Sequence, residues 1–327
     1  PPDGDSGRDE RRESVICIKN SMRKKFDVLA LGAVAVDDLF YIDSYPGPDE
    51  KAPILRRERR CGGMSAIAAI TASRLGCRSA YAGVLGRDEL SEFAIKQMRQ
   101  EGVNLRHLAR RDCVRSIHSV IMIDSKAGTR NIFFDIGGFL GAARDWPPAE
   151  VIRSARVLFL DWYSVPGMIR AARIARAAGL PVVADFEHDG HPGFSKLLPL
   201  ADHLILSQTF AAKLTGLADP RRVVLRLWNG RQELAAVTCG AKGCFYVTRD
   251  NPAVVRHQPA FKVKAVDTTG CGDVFHGAYA AALARGMSAS DRIRFAAAAA
   301  ALKASQSGGA QQGIPTLART LRLMRQA

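Results

Sequence analysis

The chain has 327 residues, of which 47 % are hydrophobic, enough for one large α/β domain or two small ones. No apolar run reaches the ~18–20 residues of a bilayer span, and the charged residues 1–26 lack the apolar segment of a signal peptide, so no membrane partner is expected. The formal net charge of +15 is spread along the chain with no aromatic-interleaved basic motif, which points to small anionic ligands and away from nucleic acid. Seven cysteines, at 17, 61, 77, 113, 239, 244 and 271, form no C-x-x-C pair. That usage suits free thiols in a reducing cytoplasm, without a structural metal.

In chain order, residues 1–25 alternate charge without periodicity and predict a disordered leader. Met22 lies just before the first strand, so residues 1–21 are expected to be dispensable. Asp27 to Val36 is a nearly continuous apolar run, as in a strand buried on both faces. A helix follows over Ser65 to Leu75, stopped by Gly76. Ala80 to Val84 reads as a strand, and Glu89 to Glu101 as a helix stopped by Gly102. Further strands are predicted at Val157–Leu160, Val182–Asp185, His203–Leu206 and Ala235–Thr238, with helices at Gly167–Ala178 and Thr209–Leu214. This alternation implies parallel strands and right-handed crossovers in a three-layer α/β domain over residues 26–327. Two segments, about 37–60 and 114–136, break the rhythm with short strands of alternating polarity. Alternation places Arg56, Glu58 and Arg60 on one face.

The most informative stretch is Asp267-Thr268-Thr269-Gly270-Cys271-Gly272-Asp273, followed by a helical run from Val274 to Arg285. A helix start exposes unpaired N–H groups and the positive end of the dipole, and glycines let that backbone wrap an anion. The N–H groups of Gly270, Cys271 and Gly272 can hold a phosphoryl group while Asp273 takes a proton from a hydroxyl. The competing reading is an Asp that merely caps a helix after a glycine turn. The helix dipole is expected to lower the Cys271 thiol pKa, so alkylation there should inhibit and a phosphate-bearing ligand should protect. His276 reads as a packing residue on the helix face. Asp37 follows the first strand and Asp185 ends a later one, at the edge where ligands sit in open parallel sheets.

The string D-T-T-G-C-G-D-V-F-H-G resembles the C-terminal signature of the PfkB, or ribokinase-like, family, D-T-x-G-A-G-D-x-F, with Cys271 the one departure. Gly62-Gly63-Met64-Ser65-Ala66 is similar to the family's first signature, and Thr238-Cys239-Gly240-Ala241-Lys242-Gly243 to its T-x-G-x-x-G nucleotide turn. The resemblance implies a three-layer α/β/α ribokinase-like domain with a small β-sheet lid, through which members often dimerise. It implies ATP and Mg²⁺, with Asp273 as general base. Asp37, Gly62 and Gly63 would lie at the sugar, and Ser207, Thr238, Gly240 and Gly243 at ATP. Asp267 would lie beside a monovalent cation such as K⁺, with Ser305 to Gly313 completing that site, and Asp185 near Mg²⁺ through water.

Two departures bear on substrate. Met64 and Ile67 stand where ribokinases carry Asn, and Ser207-Gln208-Thr209-Phe210 replaces N-x-x-E, so Phe210 has lost the acid. The run from His257 to Pro315 is particularly similar to the sulfofructose kinase branch, and Lys51 matches that branch's sulfonate lysine. Phe134 and Tyr163 stand where the branch has Asn and Arg. The expectation is an ATP-dependent kinase of a ketohexose, sulfosugar or related monosaccharide. The alternatives are a nucleoside kinase, or a non-catalytic sugar- or nucleotide-sensing relative.

Overall fold

The computed structural model describes residues 24–138 and 141–326. All but two residues of the expected leader, with Cys17 and Met22, lie outside the described residues. The chain opens with strands β1 (Phe26–Leu31), β2 (Ala35–Ile42) and β3 (Arg56–Gly62), helix α1 (Met64–Arg74), and strands β4 (Ser79–Tyr81) and β5 (Val84–Leu85). Helix α2 (Glu89–Gln100) leads to strands β6 (Ala109–Arg110), β7 (Ile117–Asp124) and β8 (Thr129–Asp135). The middle alternates α3 (Ala149–Arg153), β9 (Ala155–Asp161), α4 (Val165–Ala177), β10 (Val182–Asp185), α5 (Phe194–Leu197), β11 (His203–Ser207), α6 (Gln208–Thr215), α7 (Pro220–Leu227) and β12 (Leu234–Thr238). Strands β13 (Cys244–Thr248) and β14 (Asn251–Gln258) precede α8 (Cys271–Ala284), α9 (Ala289–Ala304) and α10 (Leu317–Arg325).

Eight strands form the main sheet in the order β14-β13-β12-β11-β10-β9-β1-β4. Its strands from β4 to β12 are parallel, as the alternation predicts, but β13 and β14 add an antiparallel hairpin at one edge. A two-residue turn at Arg249-Asp250 makes that hairpin possible without a crossover helix. Helices α1, α2, α8 and α9 pack one face of the sheet, and α3 to α7 the other, giving two apolar cores around the strands.

The expected single strand over 27–36 is two strands. The chain breaks at Gly32-Ala33-Val34, and β2 leaves for a second, four-stranded sheet ordered β3-β2-β7-β8. A Cβ on Gly32 would fall 2.0 Å from Asp161 Oδ2, so only glycine lets the backbone pass there. Nine of the eleven α1 residues are buried, because this helix lies between the sheet and α8. The α1–α8 contact is close: a Cβ on Gly277 would meet Ala68 O at 2.7 Å.

Candidate active site

Side chains capable of chemistry collect at the C-terminal ends of the parallel strands. Asp161 ends β9, Asp185 ends β10, Ser207 ends β11 and Thr238 ends β12; Asp185 is in register with Asp161, and Ser207 with Thr238. Helix α8 starts against this edge. Its N-cap is Gly270, with φ 75°, so Asp273 is the third helical residue and is not the cap. A Cβ on Gly270 would lie 2.6 Å from Cα and Cβ of Ala310, whereas Gly272 has nothing within 4 Å of its Cβ position. The Gly272 backbone therefore faces open space at a helix N-terminus, which is an anion site by its own electrostatics.

Among the described residues, no donor hydrogen-bonds to the half-buried Asp273 carboxylate. Its pKa is raised well above the ordinary aspartate range, first by burial and then by the charges of Asp185 and Glu187, with His276 opposing. Burial and Glu187 push Asp185 up as well. Glu187 is raised too, but its side chain opens to solvent, which weakens that shift. Sequence reasoning missed Glu187, two residues beyond a predicted strand end. It also read His276 only as packing. His276 is buried, with Nδ1 2.9 Å from Gly272 O and 3.1 Å from Asp185 Oδ2, and Nε2 2.9 Å from Ile205 O. It ties the first turn of α8 to the ends of β10 and β11.

Asp161 is a second missed residue. Its carboxylate accepts from Ala33 N at 2.6 Å, Tyr163 N at 3.0 Å and Ser65 Oγ at 3.0 Å. Burial raises its pKa to about 7 against those donors. It braces the break after β1 beside the start of α1.

Asp37 sits on β2, in register with Arg60, Ser119 and Phe134 across the second sheet. It is buried, and burial raises its pKa to about 6 while a hydrogen bond to Ser119 opposes. A Cβ on Gly62 would lie 2.2 Å from Asp37 Oδ2, and one on Gly63, φ 89°, would lie 2.7 Å from Ala33 O. The glycine pair thus lets backbone reach the Asp37 carboxylate. Phe134 shares the Asp37 row but is 64 % exposed. The same face of this sheet reaches the loop before α8, where Arg130 NH1 lies 3.3 Å from Thr268 Oγ1.

Tyr163 packs against Ala33, Ala35 and Ile117 and stacks on Trp162 at 4.0 Å; Trp162 also stacks on His188 at 5.0 Å. Lys51 is exposed on the irregular connection between β2 and β3. Gly240 and Gly243, φ 55° and 88°, shape the turn between β12 and β13. Ser207 caps α6 by accepting from Phe210 N at 3.3 Å, and Phe210 is buried with its ring edge toward Phe194. A core aromatic has taken the place of the missing acid.

One expectation changes. The Cys271 thiol is raised, to about 11, because burial outweighs the helix dipole and the nearby Lys303; Asp267 and Asp273 add to the rise. The Asp267 carboxylate is already used, accepting Thr269 N and Gly309 N at 2.9 Å each. Its carbonyl accepts from the ammonium of Lys303 at 3.3 Å. A monovalent ion on the same carbonyl would face the positive charge of that ammonium. Among the described residues, no three His, Cys, Asp or Glu side chains are spaced to hold a metal alone. A surface groove of about 740 Å³ along α10, lined by Leu317, Leu321, Arg322 and Arg325, offers no nucleophile or carboxylate.

The model of the pfkB family carbohydrate kinases matches residues 26–317. The chain belongs to this family. It is similar to a ribokinase of Haemophilus influenzae, 27 % identical over 315 residues covering 94 % of this chain and 100 % of that protein. It is 28 % identical to fructokinase-1 of Zea mays over 290 residues, 81 % of this chain and 88 % of that one. It spans only 56 % of a bifunctional ribokinase/ribose-5-phosphate isomerase A of Fructilactobacillus sanfranciscensis, at 27 % identity over 91 % of this chain. A crystal structure from Agrobacterium tumefaciens assigned as a ribokinase superposes with a TM-score of 0.82 at 30 % identity, covering 91 % of this chain and 97 % of that one. An Arabidopsis thaliana ribokinase solved with ribose and ATP shares the fold, with a TM-score of 0.77 at 24 % identity over 91 % and 98 % of the two chains. As a pfkB carbohydrate kinase, this chain is a phosphotransferase with a sugar alcohol group as acceptor. Among the described residues, no helix is long and apolar enough to cross a membrane.

Proposed function

We propose that this protein transfers the γ-phosphoryl group of ATP to a hydroxyl of a monosaccharide or sugar derivative, with Asp273 as the general base. The observation that carries this reading is the unsatisfied Asp273 carboxylate one residue beyond the open Gly272 backbone. Burial and two neighbouring acids raise its proton affinity, which makes it a stronger base than an ordinary aspartate. The acceptor hydroxyl lies between Asp273 and the second sheet, oriented by the Asp37 carboxylate and the Gly62-Gly63 backbone. The N–H groups of Gly270 and Gly272 receive the transferring phosphoryl oxygens as charge shifts onto them, while the Cys271 N–H, expected to join them, is donated to Thr268 O at 3.2 Å. The nucleotide lies along the ends of β11 and β12, against Ser207, Thr238, Gly240 and Gly243.

Asp185 and Glu187 are hard oxygen donors that fit a Mg²⁺ ion arriving on nucleotide phosphates, directly or through water. When bound, that ion supplies charge neutralisation at the phosphates. The four-stranded sheet acts as the lid, excluding water from the transfer. Strand β8 is exposed at every residue, including Ile132, Phe133 and Phe134, which supports a homodimer formed through this sheet. The free thiols suit action in the cytoplasm.

The Tyr163-Trp162-His188 stack and exposed Phe134 favour one further reading, a nucleoside acceptor whose base lies on an aromatic surface. The deciding experiment measures ADP formation over ribose, fructose, other ketohexoses, sulfosugars and nucleosides, beside an Asp273→Asn control. Turnover on one class, reduced ~10²–10⁴-fold in the control, supports the assignment. ATP binding without turnover on any acceptor favours a sensing role.

A further inference from the structure

Lys303 sits in the Ala-rich run of α9 and is completely buried. No ion pair among the described residues involves it. Its one hydrogen bond among the described residues goes to the carbonyl of Asp267, at 3.3 Å. Burying an ammonium with so little compensation costs several kcal/mol. The surroundings show what offsets that cost. Burial, with Arg130, lowers the ammonium's pKa, and Asp267, Cys271 and Asp273 oppose that fall by favouring the charged lysine. The ammonium lies beneath the loop that opens α8. That loop is stitched to the end of α9 by Val266 N and Asp267 N to Ala304 O, at 2.7 and 3.1 Å, and to the chain beyond by Gly309 N to the Asp267 carboxylate.

We propose that Lys303 is a tethered cation: its ammonium, seated on the Asp267 carbonyl, does the work of a bound monovalent ion, so phosphoryl transfer requires no K⁺. A cation there holds the 267–270 loop against the repulsion of Asp267 and Asp273, and adds positive potential under the anion site. The charge is covalently attached, so its occupancy does not depend on salt. Lys303 is a positioning residue on this reading, which rests on the sugar-kinase assignment.

The test compares turnover, and separately ATP affinity by calorimetry, in potassium, sodium and tetramethylammonium chloride at equal ionic strength. The native protein should give the same kcat and the same ATP affinity in all three, within about twofold. Lys303→Met keeps the apolar stem and removes the charge. It should lose about tenfold or more in kcat in tetramethylammonium and regain most of it with K⁺ or NH₄⁺. Stimulation of the native protein by K⁺ of about tenfold overturns the proposal. So does a Lys303→Met variant that is fully active without K⁺, or one that is folded by circular dichroism yet is not restored by K⁺ or NH₄⁺. Should no acceptor be turned over, the sugar-kinase assignment falls, while the salt dependence of ATP affinity still decides this one.

Discussion

Gly270 and Gly272 flank the same helix start but should respond oppositely to alanine. At position 270 the new methyl would sit 2.6 Å from Cα and Cβ of Ala310, where ordinary contact begins near 3.4 Å. The residue must also keep φ near 75°, which costs a non-glycine residue ~1–2 kcal/mol. Overpacking adds ~1–3 kcal/mol, for a total of about 2–5 kcal/mol out of a typical ~5–15. With an unfolding entropy of ~2.1 cal/mol/K per residue, a chain of this size should lose roughly 3–7 °C in Tm. Relief means moving the loop by most of an ångström, a displacement that can cost ~10²-fold in kcat. At position 272 a methyl meets nothing within 4 Å and φ is ordinary, so Tm should stay within about 1 °C. That methyl nevertheless enters the space assigned to the phosphoryl group, and kcat/KM for ATP should fall by about tenfold or more. The assay pairs thermal melts with initial rates for both variants. A Gly272→Ala enzyme with full activity would refute a phosphoryl group cradled on this backbone, whatever Gly270→Ala does.

Three further outcomes are expected. Asp37, lifted to about 6 by burial, is a carboxylate above that pH and an acid below it. Only the anion accepts two sugar hydroxyls, so sugar KM should climb almost tenfold per unit below pH ~6 while ATP KM stays level; a flat sugar KM from about pH 5 to 8 removes Asp37 from the sugar. Cys271, raised to about 11, should react with iodoacetamide well after the exposed Cys113, as peptide mapping of partly alkylated protein would reveal; preferential labelling of Cys271 contradicts the burial argument. His276→Leu leaves the buried Asp185 without its 3.1 Å partner and should destabilise by ~3–5 kcal/mol in urea unfolding; a loss under ~1 kcal/mol would mean that the bridge holds nothing.

What the sequence showed, and what it hid, follows the range of the interactions. The start of α8 was legible because Gly270, Gly272 and the Ala-rich run act locally. The strand ends at Asp185 and Thr238 were legible for the same reason. The break after Leu31 was not, because Gly32-Ala33-Val34 is as apolar as its flanks. What turns the chain there is Asp161, 128 residues away from Ala33. His276 looked like a packing residue and Lys303 did not stand out, since their partners, Asp185, Ile205 and Asp267, come from other elements. The β13–β14 hairpin did leave a signal, a polar Arg249-Asp250-Asn251 between two strand-like runs, and it marks a tight turn where the alternation suggested a crossover. Cys271 misled because the dipole argument ignores how much protein surrounds the thiol.

The packing of α1 on α8 has a geometric consequence. One helix begins at the Gly62-Gly63 backbone beside Asp37, the other at the Gly270-Cys271-Gly272 backbone beside Asp273. They meet where Gly277 packs against the backbone of Ala68 and the Cβ of Thr71, with no room for a side chain at position 277. Close-packed backbone does not slide by fractions of an ångström as a rotamer change allows. The two helix tips therefore behave like the jaws of a fixed calliper. An acceptor is measured by how far its reactive hydroxyl projects from the part gripped near Asp37. Changes of substrate preference in this scaffold should arise in the four-stranded sheet and its connections, and leave the span between the jaws alone.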